Sequence, residues 1–169
     1  LCLVKQKKVD LSEMLEKTTP FLMVLDNLQD PGNLGTIVRT AEGAGVTGII
    51  MSRDTVDIYN PKTIRSTMGS VYRMPFFYVE DILEFLEDLR GQGIRTYAAH
   101  LDGANNYDEE SYKEACAFLI GNEGNGLRDE VAKKADIWIK IPMYGQVESL
   151  NAAIASSILM YEVSRQRRK

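Results

Sequence analysis

Cysteine and histidine are almost absent from the chain: Cys2, Cys116 and His100 are the full complement in 169 residues. Three such residues cannot build a Cys/His zinc site, and two cysteines do not make a disulfide framework. No metal is expected, and a reducing, cytoplasmic compartment is. Long apolar runs are also missing. The longest, Ala115 to Ile120, has six residues, against the roughly 20 that span a bilayer, and no basic segment followed by an apolar one opens the chain. A membrane protein or a secreted precursor is therefore not expected. Positive charge is in deficit, with 20 Lys and Arg against 24 Asp and Glu and a net charge of −4. That excludes a bulk electrostatic nucleic-acid binder but not an enzyme that acts on RNA. The basic residues cluster at the ends, at Lys5, Lys7 and Lys8 and at Arg165, Arg167, Arg168 and Lys169, as solvated tails or as RNA contacts.

A hydrophobic content of 44% suffices to close the core of one domain. Strand-like runs alternate with helix-period segments, which predicts an α/β domain with a mostly parallel sheet flanked by helices. The strands fall at 21–25, 48–51, 76–79, 94–99, 117–120 and 137–141. Helices are expected after the turn Asp30-Pro31-Gly32, over 61–68, on Ile82, Phe85, Leu86 and Leu89, and near Leu127, Val131 and Ala135. A long final helix is expected on Leu150, Ile154, Ile158 and Tyr161. Residues 1–20 are polar and lack clear periodicity, and read as a junction leading into a domain over 21–169.

Three segments each follow a strand and open a helix, where open α/β sheets place their ligands. The first is Asp30-Pro31-Gly32-Asn33-Leu34-Gly35, with Arg39 six residues after the asparagine; taken alone, Asn33 reads as a helix cap and Arg39 as a surface charge. The second is Gly121-Asn122-Glu123-Gly124-Asn125-Gly126-Leu127. Its glycines permit close approach to a ligand, yet it has no Lys-Ser/Thr of a P-loop and its order differs from the dinucleotide fingerprint, which leaves a nicotinamide enzyme a poor match. The third runs from Ile141-Pro142-Met143 through Gly145 to Ser149-Leu150-Asn151, where Ser149 could be no more than a helix cap. His100 and Cys116 enter no catalytic scheme and read as a partly exposed loop residue and a core residue.

Together, over about residues 20 to 165, these segments resemble the SpoU (TrmH-like) family of SPOUT RNA methyltransferases. The resemblance implies a parallel sheet whose C-terminal third is threaded into a trefoil knot, an exception to the rule against threading. It implies transfer of a methyl group from S-adenosyl-L-methionine to a ribose 2′-hydroxyl of rRNA or tRNA, within a homodimer that buries an apolar face of the last helix and completes each site from the partner subunit. Carried over by motif, Asn33, Arg39, Glu123, Ser149 and Asn151 form the catalytic cluster, and Leu101, Gly121, Ile141, Met143 and Leu150 the cofactor pocket. A bulky residue at Gly121 is expected to block the cofactor. The family's proton acceptor would be Arg39, but a guanidinium is normally charged throughout. Either a special geometry deprotonates it, or it stays cationic, holds a phosphate beside the target ribose and stabilises the forming oxyanion. A catalytically silent RNA-binding relative is the alternative function. Many family members carry a small RNA-binding domain ahead of this one. The junction up to Pro20 looks like what would follow it, so this length of chain is expected to dimerise and bind cofactor but to methylate RNA poorly at physiological salt.

Overall fold

Apolar runs with no polar alternation belong in a sheet covered on both faces, and that is where the structure, a computed structural model describing residues 10–168, puts them. Cys2, Lys5, Lys7, Lys8 and Lys169 lie outside the described residues. The chain runs α1 (Leu11–Leu15), β1 (Phe21–Leu25), α2 (Pro31–Ala44), β2 (Gly48–Ser52), α3 (Pro61–Ser66), a 3-10 turn (Ser70–Tyr72), β3 (Phe76–Val79) and α4 (Ile82–Gly91). It continues with β4 (Arg95–Ala99), β5 (Asn105–Asn106), β6 (Cys116–Ile120), α5 (Asp129–Lys134), β7 (Ile137–Lys140) and α6 (Ala152–Arg167). The seven strands among the described residues are all parallel, in the order β3-β2-β1-β6-β4-β7-β5.

Both central strands split their side chains by parity. Phe21, Met23 and Leu25 of β1, with Cys116, Phe118 and Ile120 of β6, meet Ile37 and Val38 of α2 and Leu159 and Val163 of α6. Leu22, Val24, Ala117 and Leu119 point the other way, onto Phe85 and Leu89 of α4 and Val131 of α5. Cys116 is buried in the first layer as expected, and burial pushes its thiol up to about 12 despite the nearby Arg167 guanidinium. The chain leaves β1 toward β2 and β3 on one side, while β6 and its neighbours lie on the other. The loops after β1 and β6 therefore diverge and open a crevice at the C-terminal edge of the sheet.

Several local expectations change. The 11–15 stretch, read as part of a junction, is a short helix whose buried Met14 packs against Gly48; five residues are too few to show a period. The pairing of Asn105–Asn106 with β7 is polar and carries no strand signal. Leu127 and Ala135 flank α5, and Leu150 lies ahead of α6, which starts at Ala152. α3 stops at Ser66 because Met68 (φ 49°) and Gly69 (φ 91°) both turn left-handed. Helix α2 is capped by Asp30, whose side chain accepts from the Asn33 N–H at 2.8 Å, and α6 by Asn151, whose side chain accepts from Ala153 and Ile154. Neither Asn33 nor Ser149 is the cap.

Gly35 is where α2 meets α3. A Cβ there would lie 2.4 Å from the Ser66 Cβ and 2.7 Å from the Thr63 carbonyl oxygen, whereas one at Gly91 meets nothing within 4 Å. Gly35→Ala should destabilise the fold by about 1–3 kcal/mol through overpacking. Gly91→Ala, at the end of α4, should be neutral or stabilise by up to about 1 kcal/mol. Urea denaturation of both variants checks the opposite signs.

Candidate active site

The crevice is organised by one carboxylate. Glu123, on the loop after β6, accepts from the Gln29 N–H at 3.0 Å, the Asp30 N–H at 2.9 Å and the Asn33 side-chain amide at 3.0 Å. The other end of the Asn33 amide accepts from the Asn151 Nδ2 at 3.0 Å. The motif holding Asn33 and two others, whose bonded residues lie 90 and 118 positions away, thus share one relay, Glu123 to Asn33 to Asn151. Because Asp30 takes over the cap, the Asn33 side chain is free to bridge. Burial pushes the Glu123 carboxyl up, but the Gln29 N–H, the Asn33 amide and the Asp30 N–H outweigh it and hold it below the ordinary carboxylate range. A carboxylate in that state is a poor proton acceptor at neutral pH, and it positions its neighbours instead.

The glycine loop is held by its own backbone. Asn122 and Gly126 exchange two N–H to O bonds of 2.9 Å, and the Asn122 side chain accepts from the Gly124 and Asn125 N–H groups while donating to the Asn27 carbonyl at 3.0 Å. A Cβ on Gly121 would sit 2.1 Å from Gly126 C and Leu127 N. Any side chain at Gly121 therefore collides with the loop before it reaches a ligand, which revises the expected simple block of the cofactor. Gly126 needs its left-handed φ of 70°. Beyond the loop, the Arg128 guanidinium and backbone N–H hold the fully buried Asp26 at the end of β1, an ion pair that raises the arginine and ties the loop to the sheet.

Two hollows adjoin at Asn122, Glu123 and Ala152. The larger, about 750 Å³, lies beyond β4, β6 and β7 and is lined by all five expected cofactor residues, Leu101, Gly121, Ile141, Met143 and Leu150, and by Ser149. Its charged lining is mostly acidic, with Asp102, Glu123, Asp129 and Glu148 against Lys140. His100 lines it too, packed against Trp138 with ring centroids 4.4 Å apart and ring planes tilted by 34°, its side chain 25% exposed. The smaller hollow, about 720 Å³, is lined by Gln29, Asp30, Asn33, Glu123 and Asn151. Arg39 is the exception among the expected residues. It is exposed and lines neither hollow, and its six-residue offset puts it about 9 Å along the α2 axis from Asn33.

Sequence reasoning missed Gln29, Asn122 and the Asp26–Arg128 pair. An asparagine among glycines is a signal for a side chain that closes its own turn, so Asn122 was within reach. Nothing in the sequence marks Asp26 as buried or Gln29 as a backbone donor to a residue 94 positions away.

Residues 20–161 match the model of the SpoU rRNA Methylase family. Over 142 residues the chain is 37% identical to the 23S rRNA (guanosine(2553)-2'-O)-methyltransferase RlmP of Bacillus subtilis (strain 168), covering 84% of this chain and 57% of that protein. It is 36% identical over 146 residues to a putative TrmH family tRNA/rRNA methyltransferase of Staphylococcus haemolyticus (strain JCSC1435), covering 86% and 59%. Among solved structures, the AdoMet-bound rRNA methyltransferase of Sinorhizobium meliloti superimposes with a TM-score of 0.90 at 37% identity, over 98% of this chain and 63% of that one. The SpoU methyltransferase AviRb of Streptomyces viridochromogenes, in complex with AdoMet, gives 0.88 at 30% identity over 96% and 63%. The chain thus spans less than two thirds of the length of these relatives. With most of its length matched by the family model and by relatives above 30% identity, the chain belongs to the SpoU rRNA methylase family.

Proposed function

We propose that this domain transfers the methyl group of S-adenosylmethionine to a ribose 2′-hydroxyl of rRNA or tRNA in the cytoplasm. The observation that carries the reading is the Glu123–Asn33–Asn151 relay standing at the wall between two hollows, one apolar and acidic, the other polar. Ile141, Leu150 and the Gly121 turn suit an adenine ring and an aliphatic chain. Four carboxylates against one lysine suit a sulfonium cation and disfavour a phosphate-bearing dinucleotide. When bound, the cofactor supplies an electrophilic methyl group on sulfur, so the reaction asks the protein for alignment and loss of one proton. Ile141, Leu150 and the Gly121 turn would hold that group, and the chain's own part would be to align the ribose 2′-hydroxyl and let its proton pass to water.

In this reading Asn33, Ser149 and Asn151 orient the ribose, and Glu123 positions Asn33 and the strand-to-helix turn at Gln29 and Asp30. Arg39 is the cation that holds the adjacent phosphate and stabilises the forming oxyanion. Its distance from the cluster within one chain favours delivery into the site of a partner subunit. A homodimer is supported by the apolar stripe on α6, where Ile154 is 50% and Tyr161 55% exposed with Ile158 between them at helical spacing. A C-terminal knot is part of this proposal, supported by the path of the chain from β7 through the cavity-lining loop to α6, which packs back against α2.

Two measurements test these assignments. Calorimetry should show S-adenosylmethionine and its demethylated product binding without added metal; folded protein giving no heat with either would refute the methyltransferase reading. Arg39→Ala and Asn33→Ala should each keep cofactor affinity within a few-fold and lower transfer to RNA by about 100-fold or more. Mixed as equal amounts of the two homodimers after subunit exchange, they should recover about a quarter of the native rate, because half the dimers then hold one intact site. No recovery would place Arg39 in its own subunit's site.

A further inference from the structure

In a chain of net charge −4, the stretch from Ile58 to Val79 carries Lys62, Arg65 and Arg73 and no acidic residue. This stretch packs along α2. Gly35, Arg39 and Glu42 fall at i, i+4 and i+7 on one face of that helix. Gly35 abuts Ser66, and the Glu42 carboxylate pairs with Arg73 at 3.0 Å, so Arg39 lies between them on the same seam. Lys62 and Arg73 are taken up by Asp30 and Glu42, whereas Arg39 and Arg65 are exposed and carry no ion pair among the described residues.

Beside these cations stand two large side chains with little cover. Met68 is 70% exposed and Tyr72 65% exposed. Met68 also has a φ of 49°, a conformation glycine adopts freely and methionine does not. A strained backbone that presents a soft apolar side chain to water marks a surface used for contact.

We propose that Arg39, Arg65, Met68 and Tyr72 form a docking surface for single-stranded nucleotides of the RNA substrate flanking the methylated position. A splayed base stacks on Tyr72 beside Met68, and the backbone phosphates meet the two arginines. Unstacked bases and phosphates are what an aromatic ring among free cations recognises, and a duplex offers no exposed base face. A second copy set patch against patch fits less well, because cations would face cations with no carboxylate between 58 and 79 to answer them; delivery of Arg39 to the partner's site is a different contact and leaves Arg65, Met68 and Tyr72 to the RNA. The inference rests on the methyltransferase reading and deepens it.

The test uses a fluorescein-labelled single-stranded RNA of about 20 nucleotides and mixed sequence, followed by anisotropy at about 50 mM salt, with the same sequence as a duplex for comparison. Tyr72→Ala should weaken single-strand binding about tenfold while Tyr72→Phe retains it. Met68→Gly should also weaken binding, with a fold at least as stable as the native one because glycine suits the left-handed turn. Duplex binding should be weaker and indifferent to Tyr72. The surface is overturned if the native chain ignores the probe, if Tyr72→Ala and Met68→Gly bind it as the native chain does, or if sedimentation shows that these variants only dissociate a dimer. Calorimetry with S-adenosylhomocysteine on the same samples separates the two readings: lost cofactor heat in the native chain refutes the methyltransferase, and intact heat with unchanged RNA binding in both variants refutes this surface alone.

Discussion

Everything at the C-terminal edge of the sheet depends on the Glu123 carboxylate finding N–H donors from the far end of the chain. Its two oxygens take the Gln29 and Asp30 backbone donors and the Asn33 amide, and through Asn33 they reach the residue that caps α6. A charged acceptor makes stronger bonds than a neutral one, so this group can define the geometry even on a partly open surface. It can do so only because the glycine loop carrying it is stiff. That stiffness comes from the Asn122–Gly126 bridge and from the absence of a Cβ at Gly121.

The same arrangement explains the choice of capping residues. Had Asn33 capped α2, its amide would have been spent on backbone groups and no bridge to Glu123 would exist. Asp30 performs that task, with its carboxyl held low chiefly by the Asn33 N–H. Asn151 does both jobs, since its oxygen caps α6 while its nitrogen reaches Asn33. An aspartate could cap equally well but could not donate to Asn33, so the amide is the chemistry the site requires.

Charge is divided to match. The larger hollow collects carboxylates, while along the seam between α2 and α3 the carboxylates Asp30 and Glu42 are taken up by Lys62 and Arg73, which leaves Arg39 and Arg65 exposed. A modest net negative charge is therefore compatible with binding both a cation and a polyanion, because the two meet different surfaces. Asp26 and Arg128 obey a different rule. A fully buried carboxylate is tolerable only with a partner and several bonds, and Arg128 provides them from the stretch where the loop enters α5.

The layers and the placing of the three motifs at strand ends were legible in the sequence. Unbroken apolar runs such as Phe21–Leu25 and Cys116–Ile120 demand burial on both faces, and the three motifs sit at strand ends because the sheet's edge is where turns must fall. Leu101, Gly121, Ile141, Met143 and Leu150, assigned to the cofactor by the family motifs, share the lining of one hollow. Local pattern does not encode partners far apart in the chain, so the relay through Asn33, the buried Asp26 and the packing of His100 against Trp138 were decided by the tertiary structure. The same holds for Arg39. Its place in the motif follows from sequence, but a rigid helix carries it away from Asn33, and only the packing of α2 against α3 shows which surface it joins.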